Sequence, residues 1–395
     1  MSDAAFHAEG TLPFTGERMV PGRADAATEV QHRQRYRWAM PLVRGRRVLD
    51  VACGEGYGSH RLAGFFPHVR WFRQPPAPPW DVSPGSQEDD LFFLAVCGRE
   101  PVDAIVDPMV RPVGIVIPVH NELEATRLCV ESVATFTPEP IRLVLVDNGS
   151  TDGTAAWAER VCRDSRSVTV IRNAENRGFA PAVNQGIAAA RGLDVLLLNN
   201  DVVVTPGWLS RLLAALREAP DIGLVGSVSN HASPPQQVPV PAYRGAAELT
   251  AHALDRAMRN HGRTDPAGRL SGFCLLIRRE AVEAVGGFDE RFVPGFFEDD
   301  DYCHRVRLAG FRRLVAHDVF VHHAGSRTFR RLHEDPASPL RVNWERFKAK
   351  WGLPADLAFA PGRALDRMPE DRFRPERDFM PLPPVSGAGP SEIRR

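Results

Sequence analysis

Along the middle of the chain, short unbroken apolar runs take turns with segments whose apolar residues recur every three to four positions. The runs at 113–118, 141–147, 168–172, 195–199 and 222–228 have the length and branched-chain content of buried strands. The segments between them predict helices over 122–136, from a turn at 148–153 to 162, over 180–191 and over 206–218. Pro206 is expected in the first turn of the last of these, where a missing N–H costs nothing. Strands alternating with amphipathic helices imply an α/β domain whose mostly parallel sheet is flanked by helices on both faces. Farther on, Trp344, Phe347 and Trp351 are spaced to share one face of a helix over 343–351.

The flanks lack this regularity. Residues 74–86 hold five prolines in thirteen positions, and each proline fixes φ and removes a backbone donor, which excludes a helix or a central strand there. Upstream, residues 30–49 carry six arginines and no acid, with a helix expected over 31–43 and short strands over 47–52 and 91–97. The expected division is an N-terminal fragment at 1–73, a proline-rich linker at 74–111, the regular α/β domain at 112–330, a C-terminal helix at 331–352 and a mobile tail at 353–395.

Composition narrows function by exclusion. The 395 residues include 49 basic and 49 acidic side chains, so the formal net charge is zero and no electrostatic case exists for a nucleic-acid partner or a polybasic membrane anchor. No apolar run approaches the ~20 residues of a membrane span, and the start lacks a secretory signal. Six scattered cysteines form no CxxC pair, which argues against a zinc cluster or disulfide scaffold and fits a reducing cytoplasm.

The polar residues gather where the expected strands end, which is where open α/β sheets bind ligands. The first strand runs into Pro118-Val119-His120-Asn121-Glu122, the second into Asp147-Asn148-Gly149-Ser150-Thr151-Asp152, the third is followed by Asn176-Arg177-Gly178, and the fourth ends in Asn199-Asn200-Asp201. Asn, Asp and Gly favour turns for conformational reasons alone, but four such clusters on one edge of one sheet point to a ligand site. Glu298, Asp299, Asp300 and Asp301 open a further expected helix. Acids complement the helix dipole there, yet four in a row exceed that need and repel one another, which raises at least one pKa as a general base requires.

Taken in order, these motifs resemble the family 2 glycosyltransferases. The likeness covers about residues 112–330 and rests on IVIPVHNE, LVLVDNGSTDGT, NRGFAPAVNQGI, LLLNNDVVV, SGFCLLIRREAVEAVGGFDERF, FFEDDDYCHRVRLAG and VHHAGS. It implies a GT-A type fold. It also implies an inverting, metal-dependent transfer of a sugar from a nucleotide-diphosphate sugar to a hydroxyl of a glycan or lipid-linked acceptor, in cell-envelope polysaccharide synthesis. By resemblance, Asp299 is the base with Glu298 beside it. Asp201 is the metal carboxylate, because the family's DxD reads Asn199-Asn200-Asp201 here. His322 fits the family spacing His-x-x-Gly as the second ligand of a Mn or Mg ion, with His323 as the alternative. Pro118, His120, Glu122, Asp147, Asp152, Arg177, Asn199 and Asn200 fall on the donor side, and Gly272, Phe273 and Asp301 on the acceptor side. Residues 230–268 look like a variable acceptor lobe. The chemistry agrees, since a leaving diphosphate carries charge that a divalent cation neutralises. Such acceptors would bring a cytoplasmic enzyme into peripheral contact with the inner membrane face.

The N-terminal run VLDVACGEGYGS resembles the first motif of S-adenosylmethionine-dependent methyltransferases, with Asp50, Gly54, Gly56 and Gly58 at the matching positions. The stretch from Gly58 to Pro112 is too short for the rest of that domain, so the resemblance implies an incomplete Rossmann-like fragment. Two other functions remain open: a methyltransferase or bifunctional enzyme working through residues 47–60, and a non-catalytic nucleotide-sugar-binding protein.

Overall fold

A computed structural model describes residues 111–165, 167–325, 338–359, 368 and 371–384, together with the backbone of two short strands, β1 (Val48–Leu49) and β2 (Phe93–Leu94). The chain divides into two units, Met1–Ile105 and Val106–Arg395. In the first, β1 and β2 pair in parallel, Val48 with Phe93 and Leu49 with Leu94. Asp50, Gly54, Gly56 and Gly58 and the proline-rich run at 74–86 lie outside the described residues.

The second unit is built on a nine-stranded sheet. Its order is β5 (Val168–Asn173), β4 (Ile141–Asn148), β3 (Val113–Val119), β6 (Val195–Leu198), β10 (Cys274–Ile277), β8 (Ile222–Ser229), β11 (Arg312–His323) and β7 (Val202–Val203), with β9 (Thr264–Pro266) also on β11. The first four strands run parallel, β10 is inserted antiparallel between β6 and β8, and β11 returns parallel to β8. On one face lie α1 (Leu123–Phe136), α2 (Thr154–Asp164) and α4 (Trp208–Arg217). On the other lie α3 (Phe179–Ala189), α5 (Gly245–Arg259), α6 (Arg279–Val285) and α7 (Glu298–Leu308). Coverage of both faces explains why the central strands are apolar throughout. In β3, Ile115 and Ile117 enter the core under α1, while Val116 enters the core under α3.

Three expectations are corrected. Pro206 is not in the helix: Gly207 sits at φ 71° as the cap, so α4 starts at Trp208 and Pro206 stays in the preceding turn. Residues 230–268, read as a variable acceptor lobe, are packed into the domain: α5 buries Leu249 and Ala253 in the core and β9 pairs with β11. The tail expected to be mobile is docked over 371–384. It carries the short helix α9 (Pro375–Asp378), Asp378 is fully buried, and Met380 forms a parallel bridge with Gly286. The helix expected at 343–351 is longer, α8 (Pro339–Trp351), with Pro339 in its first turn. Among the described residues, no helix is long and apolar enough to cross a membrane.

Candidate active site

Parallel pairing brings the ends of β3, β4 and β5 to one edge, and side-chain hydrogen bonds lace their loops together. Asn148 is the hub. Its Nδ2 donates to Asn176 Oδ1 at 2.8 Å and to the Gly178 carbonyl at 3.0 Å, and its Oδ1 accepts the Arg177 N–H at 3.1 Å. His120 Nδ1 lies 3.0 Å from the Asn148 carbonyl oxygen. Asp147 is buried; its Oδ1 accepts the Ser150 N–H at 3.0 Å, while Oδ2 has no hydrogen-bond partner among the described residues. Arg172, in register with Asp147 on β5, places Nε 3.7 Å from that Oδ2. Pro118 is half-buried in β3, and His120, Glu122 and Arg177 are exposed on this edge.

Asp152 has another task. Its Oδ2 accepts the Leu123 N–H at 3.1 Å and its Oδ1 the Thr154 N–H at 3.1 Å, so one carboxylate caps α1 and α2 together. That use accounts for Asp152 without a donor.

The end of β6 carries the second group. The Asn199 N–H donates to the Phe273 carbonyl at 2.9 Å, and Asn200 Nδ2 donates to Thr126 Oγ1 at 3.0 Å. Asp201 Oδ1 faces His323 Nε2 at 3.2 Å. The histidine that reaches Asp201 is thus His323, whereas His322 Nδ1 is hydrogen-bonded to the Tyr243 hydroxyl. His323 is held on three sides. Its ring stacks on Phe273 at 5.2 Å, its Nδ1 donates to the His231 carbonyl at 2.8 Å, and its backbone N–H donates to Asn230 Oδ1 at 2.8 Å. With the Nδ1 proton committed to a carbonyl, the Nε2 lone pair faces the Asp201 carboxylate, an arrangement that a cation between them would satisfy. Phe273, expected on the acceptor side, is buried beneath His323 and supports it instead.

The acids of α7 divide by their partners. Asp301 is fully buried; Arg305 Nε donates to its Oδ2 at 2.7 Å, Trp351 Nε1 donates to its Oδ1 at 3.1 Å, and Lys350 Nζ forms an ion pair with that Oδ1 at 2.5 Å. It is therefore an interior ion-pair centre and does not meet an acceptor. Asp300 pairs with Arg269 at 2.8 Å. Glu298 and Asp299 keep unpartnered oxygens, Oε2 and Oδ1, among the described residues. Asp299 Oδ2 accepts the Gly272 N–H at 2.9 Å. Burial lifts Asp299 from 3.8 to about 6, and burial with the neighbouring Asp299 charge lifts Glu298 well above the carboxylate range.

Phe296 and Phe297, just before this pair, hold φ of 79° and 70°, a region that costs a side-chain-bearing residue about 1–2 kcal/mol. The Phe297 ring offsets this by packing 5.4 Å from Trp344 and 5.3 Å from Phe347 on α8. The turn is fixed by packing, so the acids it presents have a defined direction.

Gly272 and Phe273 join the two halves of the site. Gly272 binds Asp299, while Phe273 supports His323 and binds the backbone of Asn199. Two consecutive residues, with Cα atoms about 3.8 Å apart, thus carry a carboxylate pair on one side and the Asp201–His323 pair on the other. Four contributors escaped sequence reasoning: Arg172, Arg269, Tyr243 and the pairing of Asp201 with His323. Only Arg172 had a readable signal, its place opposite Asp147 in the register of β4 and β5.

The donor set suits a divalent cation in part. Among the described residues, no three His, Cys, Asp or Glu side chains converge on one point. A carboxylate oxygen facing an imidazole nitrogen is nevertheless an oxygen and nitrogen pair of the kind that holds Mn or Mg when substrate phosphates and water supply the remaining positions.

Comparison with known proteins gives the following. Residues 114–286 match the family model described as glycosyl transferase family 2. An N-acetylglucosaminyl-diphospho-decaprenol L-rhamnosyltransferase of Mycobacterium tuberculosis is 30% identical over 269 residues, covering 58% of this chain and 84% of that protein. An uncharacterized protein of Sinorhizobium fredii is 31% identical over 275 residues, covering 65% of this chain but only 29% of its own length. Among solved structures, a mannosyltransferase of Pyrobaculum calidifontis in complex with GDP-Man and Mn2+ is similar at 21% identity and a TM-score of 0.42, covering 68% of this chain and 82% of that one.

Proposed function

The chain belongs to glycosyl transferase family 2, and on that footing we propose that it is an inverting glycosyltransferase of the GT-A type. It would move a hexosyl or deoxyhexosyl group from a nucleotide-diphosphate sugar to a hydroxyl of a glycan or lipid-linked acceptor. The observation that carries this reading is the Gly272–Phe273 junction, with a pKa-raised carboxylate that keeps one unpartnered oxygen on one side and the Asp201–His323 pair on the other.

Asp299 Oδ1 takes the proton from the acceptor hydroxyl as its oxygen attacks the anomeric carbon. The bond from that carbon to the diphosphate oxygen breaks, and its electron pair leaves with the nucleotide diphosphate. Inversion follows because attack and departure occupy opposite faces. Burial and the neighbouring Asp299 charge raise the Glu298 carboxyl well above its ordinary value, so a second charge beside Asp299 is disfavoured. The Gly272 N–H fixes the second oxygen of Asp299 and so aims the first. On the donor side, Asp147 Oδ2 is an unsatisfied acceptor for an N–H or ribose hydroxyl of the nucleotide, with Arg172 beside it to hold its charge. Asp201 and His323 would hold the divalent cation, which when bound neutralises charge on the departing diphosphate.

The Mycobacterium tuberculosis relative is named for a rhamnosyl donor and a lipid-diphosphate acceptor, which makes deoxyhexose nucleotides the first to test. A thermal-shift screen of nucleotide-diphosphate sugars with and without manganese tests the reading. At least one donor should raise the melting temperature, and more so with the metal. A chain that no nucleotide sugar stabilises, with or without metal, would refute it.

A further inference from the structure

We infer that the docked segment at 372–382 is a positioning strap for the Glu298–Asp299 carboxylates, acting through Arg305. The inference rests on the proposed role of those acids and assigns them a support from the far end of the chain.

The strap crosses the turn after α6 through a single parallel bridge, Met380 to Gly286. The Met380 N–H donates to the Val285 carbonyl at 3.0 Å, and the Gly287 N–H donates to the Met380 carbonyl at 2.8 Å. The crossing is so close that a Cβ on Gly286 would lie 1.8 Å from the Met380 oxygen, and one on Gly287 would lie 2.8 Å from Leu382 Cδ2. These glycines are where the strap sits on the fold.

Arg305 connects that crossing to α7. Its guanidinium is fully buried; Nη1 donates to the carbonyls of Val285 at 2.9 Å and Asp378 at 3.3 Å, Nη2 to that of Gly287 at 2.8 Å, and Nε to Asp301 Oδ2 at 2.7 Å. One side chain thus binds the turn, the strap and the acid quartet. Trp351 gives a second route. The Arg377 guanidinium lies 4.6 Å from its ring centre, and its indole N–H donates to Asp301 Oδ1 at 3.1 Å.

The consequence is mechanical. The Phe297 ring, set among α8 aromatics, fixes the start of α7, and the strap fixes it one to two turns later through Asp301 and Arg305. A helix held at both places cannot turn about its axis. Without the strap Arg305 loses the Asp378 carbonyl and Trp351 loses the Arg377 contact, which loosens this second hold and lets Asp299 shift from the Gly272 N–H that aims it, although Arg305 keeps the Val285 and Gly287 carbonyls. Misplacement of a reacting group by about 1 Å costs on the order of 100-fold in rate, while donor binding on the β3, β4 and β6 edge is untouched.

The test uses two full-length variants that break the crossing from opposite sides. Met380→Pro removes the N–H that bonds Val285, and Gly286→Ala puts a methyl group where the strap passes. Met380→Ala keeps the N–H and should rescue turnover. In both disrupting variants kcat should fall about tenfold or more with the donor KM within about twofold, and amide hydrogen exchange should rise at 299–305 while β3 and β4 stay protected. Unchanged exchange at 299–305 despite a released strap would overturn the inference. So would a loss of protection throughout β3 and β4 in both variants, which would show that the strap holds the whole fold. If the wild-type chain transfers no sugar, the proposed function fails, and the exchange at α7 still decides the strap's role.

Discussion

Replacing Asp299 with Asn should weaken the enzyme and strengthen the fold. A carboxyl held near 6 in the native chain against 3.8 in an open chain costs the folded state up to about 3 kcal/mol once it ionises. Water reaching this half-buried side chain trims the cost to roughly 1–2 kcal/mol. The sign follows from proton binding. Between about pH 4 and pH 6 the folded chain binds more protons at this position than the unfolded one, so its contribution to stability falls as pH rises through that window. Asn is the neutral isostere and removes this dependence. Above pH 6 the variant should therefore be more stable than wild type by about 1–2 kcal/mol, or roughly 2–8 °C in Tm for a domain of this size, and the difference should shrink toward pH 5. Turnover should drop by about 10²–10⁴-fold, the usual worth of a positioned base, with donor affinity kept. Calorimetric melting at pH 5 and pH 8, run beside transfer assays on the same preparations, reads both effects. A variant that melts lower than wild type at pH 8, or one that turns over at the wild-type rate, would refute the assignment of a desolvated base.

Three further outcomes are expected. His323→Ala should weaken manganese-dependent binding of a nucleotide diphosphate by about tenfold or more, and His322→Ala by much less, because only His323 faces Asp201; calorimetry with and without manganese separates them. Arg269→Met should move the acid limb of the kcat profile to higher pH, since the guanidinium beside the acids holds the Asp299 carboxyl down against its burial; a profile that does not move denies that coupling. Asp301→Asn should cost about 3–5 kcal/mol in urea unfolding, because Arg305 and Lys350 lose the charge between them in the interior; a stable variant with a raised acceptor KM would return Asp301 to the acceptor side.

Much of the fold was legible because local pattern and tertiary role coincide. The runs that became β3, β4, β5, β6 and β8 are apolar throughout since helices cover both faces, and the helices between them carry the matching stripe. The antiparallel insertion of β10 between β6 and β8 was not legible, because Cys274–Ile277 are as apolar as the parallel strands and periodicity says nothing about direction. The docked tail was missed for a related reason. Proline and charge mark exposed chain on average, yet Arg377 rests on Trp351, and Met380 adheres to the turn after α6 through backbone bonds that no side-chain pattern announces.

The candidate site shows where such reading stops. Two adjacent histidines on one strand point to opposite faces, so which of them meets Asp201 depends on how β11 pairs with β7, a register set by residues some 120 positions apart. The motif spacing favours His322, whereas the strand pairing brings His323 to Asp201. The acids of α7 pose the same question at helical spacing. The bond from Arg305 to Asp301 follows the i, i+4 rule and was open to prediction. The partners Arg269, Gly272 and Lys350 come from outside the helix. Those distant partners separate the four acids. An acid matched by a buried cation serves the fold, while one that keeps an unpartnered oxygen has it to spare for chemistry. In this quartet the candidates for chemistry are therefore the two carboxylates that keep an unpartnered oxygen among the described residues, Glu298 and Asp299, and the Gly272 N–H on Asp299 is what tells them apart.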